Sequence, residues 1–188
     1  MKRSRTVAYS LAILAVLTAG CGYNTIQTLD ERVNQAKGQI QAQLQRRADL
    51  IPNLVATVKG ITKQEDTVFI SIANARSRLG GAIQSGNVPE MAAANAALSQ
   101  GLGRLIAISE NYPQLRSSEN FRQLQDQLEG TENRISVARQ DYNAAVGEYN
   151  AYIRRFPYNL TAKIFGLGTP REYFEAEPGA AEAPKVKF

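Results

Sequence analysis

The apolar positions of this chain recur three and four residues apart almost from end to end. Ile26, Leu29, Val33, Ala36 and Ile40 are followed, after one slip, by Leu44, Ala48, Ile51, Val55 and Val58, and then by Ile61, Glu65, Val68, Ile72, Ala75 and Leu79. A stripe with that spacing covers one face of an α-helix, so helix is expected over residues 24–82. Pro52 interrupts it, because proline has no N–H for the carbonyl of residue 48 and its ring crowds the preceding turn. If Pro52 only kinks the helix, the run is continuous; if it breaks the helix, the first half folds back and packs.

Residues 83–88 read as a turn. Asn87 is placed to cap, Pro89 suits a first helical turn, and Glu90 stands three after Asn87. The following helix carries Met91, Ala94, Leu98, Gly101, Leu105 and Ile108, and its small seam residues permit close approach of a neighbour. Tyr112-Pro113 ends it, since the residue before proline disfavours helical geometry. A last long helix begins after Ser117 or Ser118, with Glu119 at the positive end of its dipole. Along it Phe121, Leu124, Leu128, Thr131, Ile135, Ala138, Tyr142, Ala145, Tyr149, Tyr152 and Phe156 alternate three and four, a coiled-coil-like heptad seam closed by Phe156-Pro157. Strand signals are negligible, since Val and Ile fall at helical rather than alternating spacing. The expected fold is all-α: an elongated antiparallel bundle of three to four long helices, with an apolar segment from Leu160 to Leu167 as a last helical turn and a disordered, Ala-, Pro- and Glu-rich tail over 175–188.

The amino terminus departs from this pattern. Lys2, Arg3 and Arg5 precede an apolar stretch from Val7 to Leu17, then small residues, Thr18-Ala19-Gly20, before Cys21. That is the anatomy of a secretory signal over residues 1–20. The apolar stretch is about half the roughly 20 residues a membrane-spanning helix needs. Ala19-Gly20-Cys21 resembles a lipobox, with Thr18 where Leu is more usual. Acylation of the Cys21 thiol by diacylglycerol, with a further amide-linked chain such as palmitate, would supply the two anchors that stable attachment requires. Residues 21–22 are therefore the expected lipid-anchor site; the alternative is that residues 1–20 stay uncleaved as a membrane anchor and Cys21 is a free cysteine at their end. The chain is then carried outside the cytoplasm on the cell membrane or the outer membrane, and Gly22 in place of Asp points to the outer membrane by resemblance to lipoprotein sorting.

Composition narrows the chemistry. The formal charge is +5, yet Lys2, Arg3 and Arg5 supply three of the 22 basic residues, and without them the margin over 17 acidic residues is two. The rest are interspersed in sign, so no basic stripe tracks a phosphate backbone and nucleic acid is not an expected partner. Histidine is absent and Cys21 is the single cysteine. The usual general base, the commonest metal ligand, thiolate clusters and internal disulfides are thereby removed. A carboxylate-bridged di-metal centre in a bundle draws on Glu-x-x-His pairs this chain cannot provide; no metal, cofactor or catalytic residue is expected.

Polar residues on the seams are the remaining candidates. Glu65 occupies an apolar slot, Glu132, Asn133, Asn143 and Asn150 adjoin the last seam, and Arg46, Arg47 and Asp49 cluster before Pro52. Glu65 is expected to pair with an arginine or asparagine in a buried layer that fixes register, because an unpaired buried carboxylate is costly. Tyr142, Tyr149 and Tyr152 are expected in the core with hydroxyls at its edge, and Arg46 and Arg47 on a solvated face.

Three segments together, QLQRRADLIPNLVATVKG (43–60), ENYPQLRSSENFRQLQDQLEGTENRISVARQDYNAAVGEYNAYIRRFP (110–157) and TAKIFGLG (161–168), resemble the LemA family of bacterial membrane-associated proteins over roughly residues 23–174. The resemblance implies a helical bundle tethered at its amino terminus, with its bulk outside the cytoplasm. The family pattern falls on Arg47, Asp49, Leu50, Pro52, Asn53 and Val58, on Tyr112, Pro113 and Phe121, and on Glu132, Asn133, Arg139, Tyr142, Asn143, Tyr149 and Asn150. None carries an assigned catalytic role. Many members have His before the residue matching Glu65, where this chain has Gln64. The leading expectation is a non-catalytic envelope lipoprotein acting as scaffold or adaptor for another envelope protein. The alternatives are an envelope stress or integrity factor that binds membrane directly, and a hydrolase or metal enzyme using Glu65 and Glu132.

Overall fold

The computed structural model describes residues 2–60 and 66–175, with side chains from Gly22 onward. Among these residues the regular structure is entirely helical: α1 (Lys2–Lys59), α2 (Asp66–Ser85), α3 (Val88–Ser109), α4 (Pro113–Arg116), α5 (Glu119–Arg154) and α6 (Tyr158–Ile164). The all-α expectation holds. The chain gathers into two compact units, the first of Met1–Lys37 with Asp141–Glu172, the second of Gly38–Gln140 with Tyr173–Phe188. Helices α1 and α5 therefore contribute to both. Glu65, Ile61 and Gln64 lie outside the described residues, as do residues 176–188 of the expected tail.

In the second unit, α1 passes through Pro52 and stops at Lys59, where the Gly60 amide bonds back to Ala56. The helix expected over 24–82 thus continues through the proline and ends at Lys59, and α2 begins at Asp66. Helix α2 runs back along α1, with Gln41 Nε2 donating to the carbonyl of Ile83 and Arg76 Nε to that of Ala48. The second bond explains how the proline is accommodated. Ala48 is four residues before Pro52, so its carbonyl is the acceptor the proline leaves empty, and Arg76 fills it at 2.8 Å.

The turn between α2 and α3 follows the sequence signals. Gly86 takes a left-handed φ of 67°, and the Asn87 side chain accepts from the Glu90 amide as N-cap. The core of this unit is built from Leu44, Ile51, Leu54, Ile72, Leu79, Met91, Leu98 and Leu105, all fully buried. Each contributes about 1.5–3 kcal/mol of hydrophobic stabilisation. Helices α2 and α3 meet closely at Gly101, where a methyl group would stand 2.9 Å from Ile72 Cγ1.

Two stretches of the apolar stripe move off the expected register. Leu54, not Val55, is buried on α1, and on α5 Val146 and Ile153 are buried where the heptad placed Ala145 and Tyr152. A strict seven-residue repeat drifts by about 20° per heptad against a straight helix of about 3.6 residues per turn. On α5 the buried stripe has slipped one residue onward after three heptads, as that drift requires; the step back to Leu54 on α1 returns to register at Val58 and is not explained by it. Phe156, the expected last seam residue, is 80% exposed because α5 ends at Arg154.

In the first unit, α1 and α5 run antiparallel, bringing Arg32 within 3.5 Å of Glu148. Ile26, Val33 and Ala36 pack with Tyr142, Val146, Tyr149 and Ile153 to form its core. Helix α6 returns beside the start of α1: Thr161 and Ala162 are buried, the Tyr158 ring lies on Gly22, and Phe165 meets Tyr23 at 4.6 Å between ring centroids. The apolar segment expected as a packed last turn is helical, but Leu160, Ile164 and Phe165 are more than half exposed.

Candidate functional site

The second unit holds a charged group in its interior. Arg47 is 5% exposed, against the solvated position expected for it, while Arg46 beside it does face solvent. Residue 47 lies one position from Ala48 on the buried stripe, and α3 and α5 close over it. Its Nη1 donates to Asn95 Oδ1 at 2.7 Å and stands 2.6 Å from Glu132 Oε2. Arg47 thereby ties α1 to α3 and α5. Burial lowers the affinity of this guanidinium for its proton, and Glu132 opposes that loss. Its Nε is buried without a partner. Arg47, Asn95 and Glu132 thus form a polar contact between helices, while the pairing expected of Glu65 lies outside the described residues.

The first unit holds a polar strap. After α6 the chain lies along α5, and α5 side chains hold it by its backbone. Tyr149 donates its hydroxyl to the carbonyl of Leu167 and Tyr142 to that of Glu172, each at 2.8 Å. Asn150 makes two bonds to one residue, Nδ2 donating to the Arg171 carbonyl at 2.9 Å and Oδ1 accepting from the Arg171 amide at 2.8 Å. The Arg171 side chain then grips α1, its Nε and Nη2 both donating to Asp30 Oδ1 at 3.0 and 2.7 Å. Its guanidinium carbon also lies 5.9 Å from the Tyr149 ring centroid. Burial holds both tyrosine hydroxyls above their ordinary pKa, so they remain donors, while the bond to Asp30 strengthens the hold of Arg171 on its proton.

The model of the LemA family matches residues 36–188. The chain belongs to the LemA family. The match begins within α1 and continues past the span 23–174 on which the resemblance rested. Among similar proteins are magnetosome protein MamQ 1 and MamQ 2 of Paramagnetospirillum magneticum, each 28% identical over 187 aligned positions. Magnetosome protein MamQ of Magnetospirillum gryphiswaldense is 26% identical. Each alignment covers 87% of this chain and 68% of the relative. The family sets this LemA chain among membrane-associated proteins, and no helix of the described residues is long and apolar enough to cross a membrane.

The LemA-pattern residues divide between the two clusters. Tyr142, Tyr149 and Asn150 hold the strap, the half-exposed Glu132 pairs with the buried Arg47, and Pro52 is the exposed residue whose missing donor Arg76 replaces. Asp49 is exposed and accepts from Gln45 Nε2 at 2.8 Å. Asn53 lines a polar depression of about 270 Å³ with Thr57, Asn120 and Gln123. Asn133 is exposed, while Arg139 and Asn143 are half-buried. Tyr152 is half-buried and stacks on Tyr158 at 4.4 Å. The Cys21 side chain and Glu65 lie outside the described residues, and no cluster of metal-ligating residues occurs among those described. Asp30, Asn95, Arg76 and Arg171 were not singled out from the sequence. Asn95 carries a signal of the kind that marked Glu132, a polar residue beside the seam residue Ala94.

Proposed function

We propose that this LemA-family protein is an envelope lipoprotein, anchored through Cys21, whose helical body serves as a non-catalytic scaffold or adaptor for another envelope protein. The observation that carries this reading is the use made of the family-pattern residues. Those with the most chemical potential, Arg47, Glu132, Tyr142, Tyr149 and Asn150, spend their polar atoms on the protein itself, joining helix to helix and strap to helix. A pattern used in this way maintains a shape, and a maintained shape on a tether suits a docking protein. The relatives named as magnetosome proteins are consistent with a role at a membrane-bounded assembly.

Globomycin, which blocks removal of lipoprotein signals, tests the anchor. A larger precursor should accumulate, and Cys21→Ala should leave the membrane fraction; if neither happens, the lipoprotein reading fails. In-cell crosslinking from the anchored protein, read by mass spectrometry, tests the adaptor role. Conjugates with one other envelope protein are expected, and self-crosslinks alone would remove the role.

A further inference from the structure

The end of the first unit that carries Gly22 and Tyr23 also carries the most exposed apolar side chains of that unit. Phe156 is 80% exposed, Ile164 78%, Phe165 56% and Leu160 51%. They lie on and beside α6, whose inward residues Thr161 and Ala162 are buried, so the helix is packed on one side and apolar on the other. Exposed apolar side chains grouped on one short helix and its ends mark an interaction site. The residues around it are of one sign. Between Glu148 and Glu172 the sequence has no acidic residue, and Arg154, Arg155 and Lys163 are exposed beside the apolar side chains. Tyr23, Tyr152 and Tyr158, half-buried, border the same end.

The geometry points to a membrane foot: the exposed face of α6, with Phe156 and Phe165 at its ends, inserts into the interface of an anionic bilayer while Arg155 and Lys163 meet the lipid phosphates. The position of this face favours lipid over other occupants. Tyr158 rests on Gly22 and Phe165 on Tyr23, the two residues that follow Cys21, at about 1.5 Å per residue along α1. Anything that holds residue 21 at a bilayer therefore brings α6 to the same surface. Apolar and aromatic side chains with a basic rim are the composition that settles at the boundary between headgroups and acyl chains, and each basic residue adds attraction to anionic lipid. The foot would work as a second anchor and fix how the first unit stands on the membrane. It rests on the reading that the chain is anchored at its amino terminus.

The chain contains no tryptophan, so a single introduced one reports alone. Full-length Ile164→Trp is placed in vesicles of phosphatidylcholine and phosphatidylglycerol with brominated acyl chains, and Asp141→Trp, exposed on α5 in the same unit, serves as control. A side chain buried at the depth of interfacial helices lies within reach of the brominated chains and should lose much of its emission, and the control should keep its own. Reversing charge with Arg155→Glu and Lys163→Glu in the Ile164→Trp chain should weaken the quenching. A chain that floats with the vesicles while Ile164→Trp stays bright overturns the foot and leaves the anchor standing. A chain that fails to float overturns both. Crosslinking of position 164 to a protein, with the tryptophan unquenched, would make the face a protein interface and also overturn the foot.

Discussion

Arg76 on α2 donates its Nε hydrogen to the carbonyl of Ala48 on α1 at 2.8 Å, replacing the backbone donor that Pro52 lacks. A proline inside a helix ordinarily costs about 3 kcal/mol or more, part of it through the lost hydrogen bond. Here the vacancy becomes a connection between two helices. Arg76→Met should destabilise the fold by about 1–2 kcal/mol, the cost of an acceptor left unpaired. In a Pro52→Ala background, where the residue 52 amide can bond to Ala48, the same substitution should cost clearly less. Urea denaturation of the four chains of this cycle measures the difference; equal costs in both backgrounds would mean the two residues are independent.

The strap should be sensitive to alkali. Tyr142 and Tyr149 have hydroxyl pKa values above the ordinary 10.0, first because they are buried. A group whose folded pKa is raised contributes stability that is complete below its unfolded pKa and disappears as pH rises through the folded value. Stability should therefore be flat with respect to these groups from neutrality to about pH 9 and decline above about pH 10. Tyr142→Phe with Tyr149→Phe should flatten that alkaline decline, as followed by circular dichroism and tyrosinate absorbance.

Asn150 holds Arg171 as another strand would, donor to acceptor and acceptor to donor. Asn150→Asp keeps the acceptor and turns the donor into a second acceptor facing the Arg171 carbonyl. A loss of about 2 kcal/mol is expected, from one lost bond and one repulsive contact. Amide hydrogen exchange at Arg171 should accelerate, and limited proteolysis should find the segment 167–172 before α2 or α3. Unchanged exchange at Arg171 would show that the strap is held without Asn150.

Two glycines of α3, two residues apart, should respond in opposite directions. A methyl group at Gly103 meets nothing within 4 Å, so Gly103→Ala should stabilise the helix by about 0.5–1 kcal/mol. At Gly101 the methyl would stand 2.9 Å from Ile72 Cγ1, and Gly101→Ala should cost about 1–3 kcal/mol through overpacking. Thermal denaturation of both variants decides it, and a stabilised Gly101→Ala would mean that Ile72 has room to move.

Much of the helical architecture could be read from spacing because helix burial is periodic. Asn87 as cap, the small residue at the α2–α3 crossing and most of the α5 stripe follow from local rules. The slip to Val146 and Ile153 was not visible in the heptad, since three-and-four spacing fits either a supercoiled or a straight helix. The polar clusters were half visible. Arg47, Glu132, Tyr142 and Asn150 stood out beside their seams, but which partner each takes depends on distant helices. Arg47 was expected in solvent for that reason. The strap left the least trace, because Asn150 and the tyrosines bind backbone atoms that every residue possesses, and Asp30 finds Arg171 across most of the chain.

That last pair has a consequence for biogenesis. Asp30 and Arg171 are 141 positions apart, so the strap they fasten is made long after Asp30. A chain delivered amino end first presents Asp30 early and must wait for Arg171 before the first unit can close. Throughout that interval this stretch of α1 stands open to chaperones, proteases and neighbouring chains. Closure of the first unit thus waits on the strap, and a chain truncated before residue 171 should be digested by protease faster than the full chain although its helices are all present.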